Sequence, residues 1–368
     1  MLKILHITNE ITKKNFSISS LIDFIANNGN NKNFFKSEVL CSDTEDLNPE
    51  EKSNLFIQKI KWRHFFDLQK IFLNKVINYD VIHIHGMWAP IQLYSIILCL
   101  IYSKKTIIHP HGMLLKPAIN ENGFLKKINK KIFLYFLKIL FHNQKNIIFV
   151  AITKDEFSQI RKLFSNLRIE LIQNNIPFEN FNLDVNDERH QFNKTFVFFG
   201  RIHPHKNIIE MINFFIDSNL IEKGWKLEIY GIPDDKNYLN KIRKYIDSYP
   251  HIKILDPVFG AEKAKIIKKS WANILISKSE VLSFSVLESG IYGLPSIITK
   301  NIETLENDSY SQKVINNSKD ILSKFNEISN WSNTKRKIIG QNTSLFFNKY
   351  KEESDENLLT SLKKTYEY

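Results

Sequence analysis

Short β-branched runs alternate along this chain with longer stretches whose apolar residues recur at helical spacing. The first half reads KILHIT, a helical pattern over Ser19 to Asn28, then SEVLCS, VIHIHG, TIIHPHG, NIIFVAIT and RIELIQ, each followed by a helical or loop stretch. That rhythm predicts parallel strands joined by crossover helices. FENFNLDVNDERHQ, polar and acidic, breaks the rhythm and reads as a linker, after which TFVFFG, KLEIYG, HIKIL, NILIS and SIIT resume it. The pattern therefore predicts an α/β protein of two Rossmann-like βαβ domains facing across a cleft. The first spans 1–180, the second 190–345, and a helical tail over 346–368 packs back on the first.

In open parallel sheets ligands bind beyond the carboxyl ends of the strands, which directs attention to His83, His85, His111, Gly200, Arg201, Gly231 and Glu280. In FFGRIHPHKN, Gly200 and Arg201 close an apolar strand and Lys206 opens the next helix. Cations converging beside a helix start suit phosphate oxygens, through charge and bidentate hydrogen bonding. An ordinary turn with solvated cations is the alternative. SEVLSFSVLESGIYGLPSIIT adds Glu280 and Glu288, which on one continuous helix would stand about 12 Å apart, too far to share a proton or a metal. Glu280 instead follows NILIS, while Glu288 falls one and a half turns into a helix that starts near Ser283. Amides at that helix start would hold a diphosphate between the two carboxylates. Two unrelated surface glutamates are the competing reading. Gly293-Leu294-Pro295 argues against it, because Gly ends the helix and Leu-Pro leads straight into another buried strand.

Together these phrases resemble the retaining GT-B glycosyltransferases of family 4, whose pattern is a Gly-Arg-Leu phrase, a lysine five positions after the arginine, and paired glutamates before a Gly-x-Pro. HIHGMWAP and HPHGMLLKPA in the first half are similar to phrases of the subset that builds bacterial surface polysaccharide and lipopolysaccharide. The resemblance spans nearly the whole chain. It implies transfer of a hexose-type sugar, with retention, from a nucleotide diphosphate donor to a glycan or lipid-linked glycan, with neither metal nor other cofactor. By position it implies that Arg201 and Lys206 contact the donor diphosphate and support the leaving nucleotide. It further implies that Glu288 bonds the ribose, that Glu280 bonds the transferred sugar and that His111 sits near the reacting sugar and the acceptor. Gly231, Val258, Leu282 and Ser283 complete the implied donor-binding set.

Three phrases depart from the family pattern. Val281 and Ser283 stand where relatives often carry glycine, NEITKKNFSIS lacks the early glycine pair, and Asn174-Asn175-Ile176-Pro177 replaces a Pro-Asn-Gly phrase. A catalytically idle nucleotide-sugar or glycan-binding protein of the same fold is the principal alternative function.

Other chemistries have less behind them. His83/His85 and His109/His111 each place two imidazoles on one strand face, as a zinc site or a metal-dependent hydrolase would require. Neither pair has a neighbouring carboxylate to complete it, so no metal site is expected. No Asp-x-Asp occurs, and no G-x-G-x-x-G follows the first strand, which disfavours metal-dependent sugar transfer and NAD-linked oxidoreduction.

The formal charge is +12, and nine lysines but one acidic residue, Glu121, lie between Ile101 and Asn146. At helical spacing Lys126, Lys127, Lys130, Lys131, Lys138 and Lys145 share an arc of about 140°. Such a basic amphipathic helix suits anionic lipid, whereas a core-packed helix with a solvated lysine face is the plainer reading. No nucleic-acid recognition motif accompanies the charge. MLKILHITNE lacks the features of a secretory signal, so a cytoplasmic protein is expected, at the inner face of the membrane if the basic helix binds lipid. The longest apolar run, Ile91 to Tyr102, is well short of the roughly 20 residues a membrane span needs and predicts a buried helix. Cys41 and Cys99 lie in apolar runs and read as buried hydrophobes.

Overall fold

A computed structural model describes residues 1–12, 16–44, 57–59, 73–120, 124–175, 192–278, 280, 283–299, 311–314 and 318–368. The chain divides into two compact units, Met1–Pro177 with Ser354–Tyr368, and Phe178–Glu353. The linker expected near residues 178 to 193 lies mostly outside the described residues, as do Val281 and Leu282.

In the first unit the strands are β1 (Lys3–Glu10), β2 (Lys36–Asp43), β3 (Ile57–Lys59), β4 (Val81–His85), β5 (Lys105–His109), β6 (Ile147–Ala151) and β7 (Arg168–Leu171). They form one sheet in the order β3-β2-β1-β4-β5-β6-β7, and every pairing is parallel. β4 and β6 are buried at every position, and β6 accordingly reads as a continuous apolar run, whereas β4 alternates apolar residues with His83 and His85. On one face Leu5, Ile7, Ile82, Ile84, Ile108 and Phe149 meet the helices Pro90–Ile101 and Phe124–Leu140. On the other, Ile4, Val81, Ile107, Ile148 and Val150 meet Leu21 and Ile25 of the helix Phe16–Asn31, together with Leu358, Leu362 and Tyr366. Fully burying each such side chain is worth about 1.5–3 kcal/mol, so the final residues of the chain are an integral part of this core.

The helix Pro90–Ile101 has Pro90 in its first turn, where a missing N–H costs nothing. It buries Ile91, Ile96 and Cys99 but leaves Ile97 and Ile101 exposed, so the apolar run forms a one-sided helix rather than a fully buried one. Both cysteines are buried, as expected, and neither forms a disulfide.

In the second unit β8 (Thr195–Phe199), β9 (Lys226–Tyr230), β10 (Ile252–Leu255), β11 (Ala272–Leu275), β12 (Ser296–Thr299) and β13 (Ser311–Val314) pair in parallel in the order β10-β9-β8-β11-β12-β13. Phe196, Phe198, Ile229 and Ile274 centre its core, with Phe215 and Phe325 from flanking helices. Arg336 is also inside, 1% exposed. Its guanidinium donates to the carbonyls of Trp271 (2.5 Å), Gly293 (3.1 Å) and Ser270 (3.1 Å), which ties the helix carrying it to the start of β11. Gly293 holds φ +73°, and a Cβ there would stand 2.7 Å from the Gly340 carbonyl oxygen, so the Gly-Leu-Pro corner needs its glycine for both conformation and space.

The helical tail expected over 346–368 forms the end of one 35-residue helix, Asn333–Glu367. Its residues through Glu353 belong to the second unit and those from Ser354 to the first. The helix placed by its lysines at 126–145 ends at Leu140, because the chain leaves helical geometry at Asn143, where φ is +61°. Lys145 therefore lies beyond it.

Candidate active site

Each sheet reverses its strand order at one point, between β1 and β4 in the first unit and between β8 and β11 in the second. Loops beyond strand ends part in opposite directions there, leaving the crevice where such sheets bind ligands. The candidate residues collect at these two points.

In the second unit the loops after β8, β9 and β11 are laced together. Gly231 allows the first contact, since a Cβ would sit 2.3 Å from the Gly200 carbonyl oxygen. The Asp234 amide donates to the Ile202 carbonyl (3.3 Å), which sets the Asp234 carboxylate 3.0 Å from the exposed Arg201 guanidinium. The Lys278 amide donates to the His205 carbonyl (3.0 Å) and draws the loop after β11 towards the single turn Pro204–Lys206.

That contact joins two of the candidates directly, with the Lys206 ammonium on the Glu280 carboxylate and each side chain 15% exposed. Burial on its own would raise the Glu280 carboxyl. The charge and hydrogen bond of Lys206, with a smaller effect from His205, outweigh it and hold the carboxyl below its ordinary range.

Glu288 lies within the helix Phe284–Ile291, whose start immediately follows Ser283. Glu280 precedes this helix, so no continuous helix joins the two glutamates. Only 5% exposed, Glu288 pairs with Lys263 of the helix Gly260–Lys269, and the Lys263 ammonium lies 4.8 Å from the centre of the Phe199 ring at the end of β8. Lys263 was not legible in the sequence, being one lysine among several on its helix. Val258 is half-buried in the loop after β10.

Three cations and three carboxylates thus pair off at the second unit's switch point: Arg201 with Asp234, Lys206 with Glu280, and Lys263 with Glu288. An anionic ligand entering here competes with carboxylates for its cations, and the released carboxylates become hydrogen-bond acceptors for hydroxyl groups.

In the first unit His111 follows β5 at φ +53°, with Gly112 next at φ +80°. The corner is held by Glu156, fully buried, which accepts from the amides of Gly112 (2.5 Å) and Ile152 (2.9 Å). Glu156 also went unrecognised in the sequence, although Thr153-Lys154-Asp155-Glu156 has the spacing of a helix-start capping phrase. His85 is fixed in turn by Gln92, whose side chain donates to the His85 carbonyl (2.5 Å) and accepts from the Ala89 amide (2.8 Å).

The two His-x-His pairs, separate in the sequence, form one layer with His6. β1 and β4 pair His6 with His83, and β4 and β5 pair His85 with His109, so alternation places these four on one sheet face, and His111, beyond β5, stacks on His109. His83 stacks on His85 with ring centres 4.1 Å apart, and His109 on His111 at 3.9 Å. Hydrogen bonds link His6 Nδ1 to His85 Nε2 (3.0 Å), His85 Nδ1 to His111 Nε2 (3.1 Å) and His83 Nδ1 to the Tyr366 hydroxyl (2.7 Å). Burial lowers His6 and His111 to about 3. His83, His85 and His109 are pulled well below the usual imidazole range by burial first and by neighbouring histidines second. The layer is therefore neutral at physiological pH. Sequence reading saw each pair without a completing ligand; strand register supplies the missing neighbours.

Comparison with solved structures defines the class as the GT-B fold of two Rossmann-like domains. HepE of Anabaena, solved with UDP and glucose, matches with a TM-score of 0.71 at 14% identity over 98% of this chain and 99% of its own. A glycosyltransferase from Rickettsia africae gives 0.72 at 14% identity over 99% and 97%. The pneumococcal O-GlcNAc transferase GtfA, solved with UDP and GlcNAc, gives 0.69 at 10% identity over 100% and 98%. Residues 183–342, within the second unit, match the family described as glycosyl transferases group 1. No curated protein matches the chain.

Proposed function

We propose that this chain is a retaining glycosyltransferase that moves a hexose-type sugar from a nucleotide diphosphate to a glycan or lipid-linked glycan, within cell-surface polysaccharide synthesis. The observation that carries the reading is the set of ion pairs at the second unit's switch point, with Lys206–Glu280 before the helix start at Ser283 and Lys263–Glu288 beyond it. HepE and GtfA, both solved with UDP, support a nucleotide diphosphate as donor.

In this mechanism the donor exchanges partners with the site. Diphosphate oxygens take Lys206 and Arg201, which frees Glu280 to accept from hydroxyls of the transferred sugar, while Glu288 accepts from the ribose. The bond from the anomeric carbon to the diphosphate oxygen breaks as the acceptor hydroxyl adds on the same face, and the hydroxyl proton passes to the departing phosphate. Charge on the leaving group grows as that bond lengthens, so cations held in place beforehand lower the barrier. Lys206 and Arg201 supply the positive charge that metal-dependent transferases draw from an ion. His111, neutral, hydrogen-bonds near the reacting sugar and the acceptor. Leu282, outside the described residues, retains its implied place in the donor set.

A screen of UDP-, GDP- and ADP-sugars for thermal stabilisation and slow hydrolysis tests the reading without knowledge of the acceptor. One of them should raise Tm and release nucleotide; a uniformly flat screen removes the proposal. With that donor, Glu288→Ala should weaken nucleotide-sugar binding by about 10-fold to 100-fold, the loss of one or two hydrogen bonds to a charged acceptor. Unchanged affinity, measured by calorimetry, would take Glu288 away from the ribose. A non-catalytic binding protein would bind the donor yet keep all its function in Glu280→Ala and His111→Ala variants.

The acceptor side carries a second proposal, peripheral contact with an anionic membrane. Along the helix Phe124–Leu140, Ile132, Tyr135, Phe136 and Ile139 are 62%, 70%, 48% and 58% exposed. Their spacing places them in one stripe about 100° wide, with Lys127, Lys131 and Lys138 along one edge. Lys130 instead turns inward, donating to the Ala118 carbonyl (2.7 Å). Among the described residues no helix is long and apolar enough to cross a membrane, so the stripe suits a helix lying in the interface. The chain should sediment with anionic vesicles but weakly with neutral ones, and a Tyr135→Ser/Ile139→Ser double substitution should lower that binding at least about tenfold. Equal partitioning into both vesicle types would refute the contact.

A further inference from the structure

We propose that the histidine layer of the first unit binds one transition-metal dication through His6 Nδ1, His83 Nε2 and His85 Nε2. The assignment of atoms follows from what the other ring nitrogens do. His6 Nε2 faces the Ser37 hydroxyl (3.2 Å), His83 Nδ1 the Tyr366 hydroxyl (2.7 Å) and His85 Nδ1 the His111 ring (3.1 Å). Each imidazole is thus held from behind with one nitrogen left facing its neighbours. Metal-bound histidines are oriented in this way, the outer nitrogen fixed by a second group.

The inner nitrogens are already close. Ligand atoms from all three residues lie within 4.8 Å of one another, and His6 Nδ1 stands 3.0 Å from His85 Nε2. Three nitrogens around a tetrahedral ion at zinc distances are about 3.3 Å apart, so side-chain shifts on the order of 1 Å close the set. His83 Nε2 is buried without a hydrogen-bond partner, a costly condition that coordination removes. His109, its ring centre 5.7 Å from those of His83 and His85 and both its ring nitrogens also buried and unpartnered, is at hand for the fourth position. The donor set is all imidazole, which selects zinc, copper or nickel over magnesium or calcium. The three ligands lie on the first sheet and none belongs to the residues assigned to the donor, although His111, which holds His85 from behind, is shared with the proposed function.

The test uses the full chain, stripped with chelator and titrated with zinc(II) against a chromophoric competitor. One equivalent should bind per chain, and cobalt(II) in its place should give the visible d–d bands of a four-coordinate ion. His83→Asn should abolish both signals. Because that change enters a packed core, Tyr366→Phe provides the milder test: it removes only the hydroxyl behind His83 and should lower affinity about 10-fold to 100-fold while circular dichroism stays unchanged. His251→Asn, on the second unit, should bind zinc like the unsubstituted chain. Substoichiometric zinc, or zinc bound equally by His83→Asn and Tyr366→Phe, overturns the site and leaves the layer a hydrogen-bonded network alone.

Discussion

Lys206→Ala should lower turnover of the nucleotide sugar by about 10²-fold to 10³-fold, the scale seen when one group stabilising a developing negative charge is removed. The effect has two sources that kinetics can separate. The leaving diphosphate loses a cation held ready for it, which lowers kcat more than it raises KM. Glu280 also loses the partner that overcomes its burial, so its carboxyl should rise from the depressed value it holds beside Lys206. The acid limb of the activity profile should then move to higher pH in the variant. Lys206→Arg should recover part of the rate by keeping the charge. The double variant Lys206→Ala/Glu280→Ala should fall by less than the product of the single effects, since the two residues are in direct contact. Full activity in Lys206→Ala would remove this lysine from the mechanism.

The first unit should lose stability steeply as pH falls below about 6.5. His6 and His111 titrate near 3 when folded, against an ordinary value of 6.5, so the unfolded chain binds their protons first. Stability from these two groups is complete above the unfolded value and is lost as pH falls from there towards the folded one. Below about pH 6 each costs about 1.4 kcal/mol per pH unit, so the pair alone removes roughly 3 kcal/mol per pH unit. His83, His85 and His109, shifted the same way, steepen the slope. Hydrogen exchange on the metal-free protein at pH 7, 6 and 5 should show protection collapsing in β1, β4 and β5 before the second unit responds. A flat profile over that range would mean that the histidines are not held neutral in the fold.

What could be read in advance divides along physical lines. Strand and helix alternation, and the donor phrases, were legible because they are local. Gly200, Arg201 and Lys206 lie within a few residues of one strand end, and Gly293-Leu294-Pro295 fixes a corner by backbone geometry alone. The partners Asp234 and Lys263 were not, since choosing them among many charged residues requires the path of loops after β9 and β10. The histidines illustrate the same limit: alternation assigns a face within each strand, but only inter-strand register joins His6 to His83 and His85 to His109. The exposed stripe of the basic helix was hidden for a related reason, because periodicity does not say which apolar residues the core accepts. Leu134 and Leu137 are taken in, while Tyr135 and Phe136 are left out.

The helix Asn333–Glu367 closes a unit that began at the first residue, with Leu358, Leu362 and Tyr366 covering a sheet face whose strands precede residue 172. Until those residues are made, only the helix Phe16–Asn31 covers that face, and the whole second unit is made in between. The first unit is thus the earlier one begun and the later one completed, because Tyr366, which bonds His83 of its imidazole layer, follows the whole second unit in the chain.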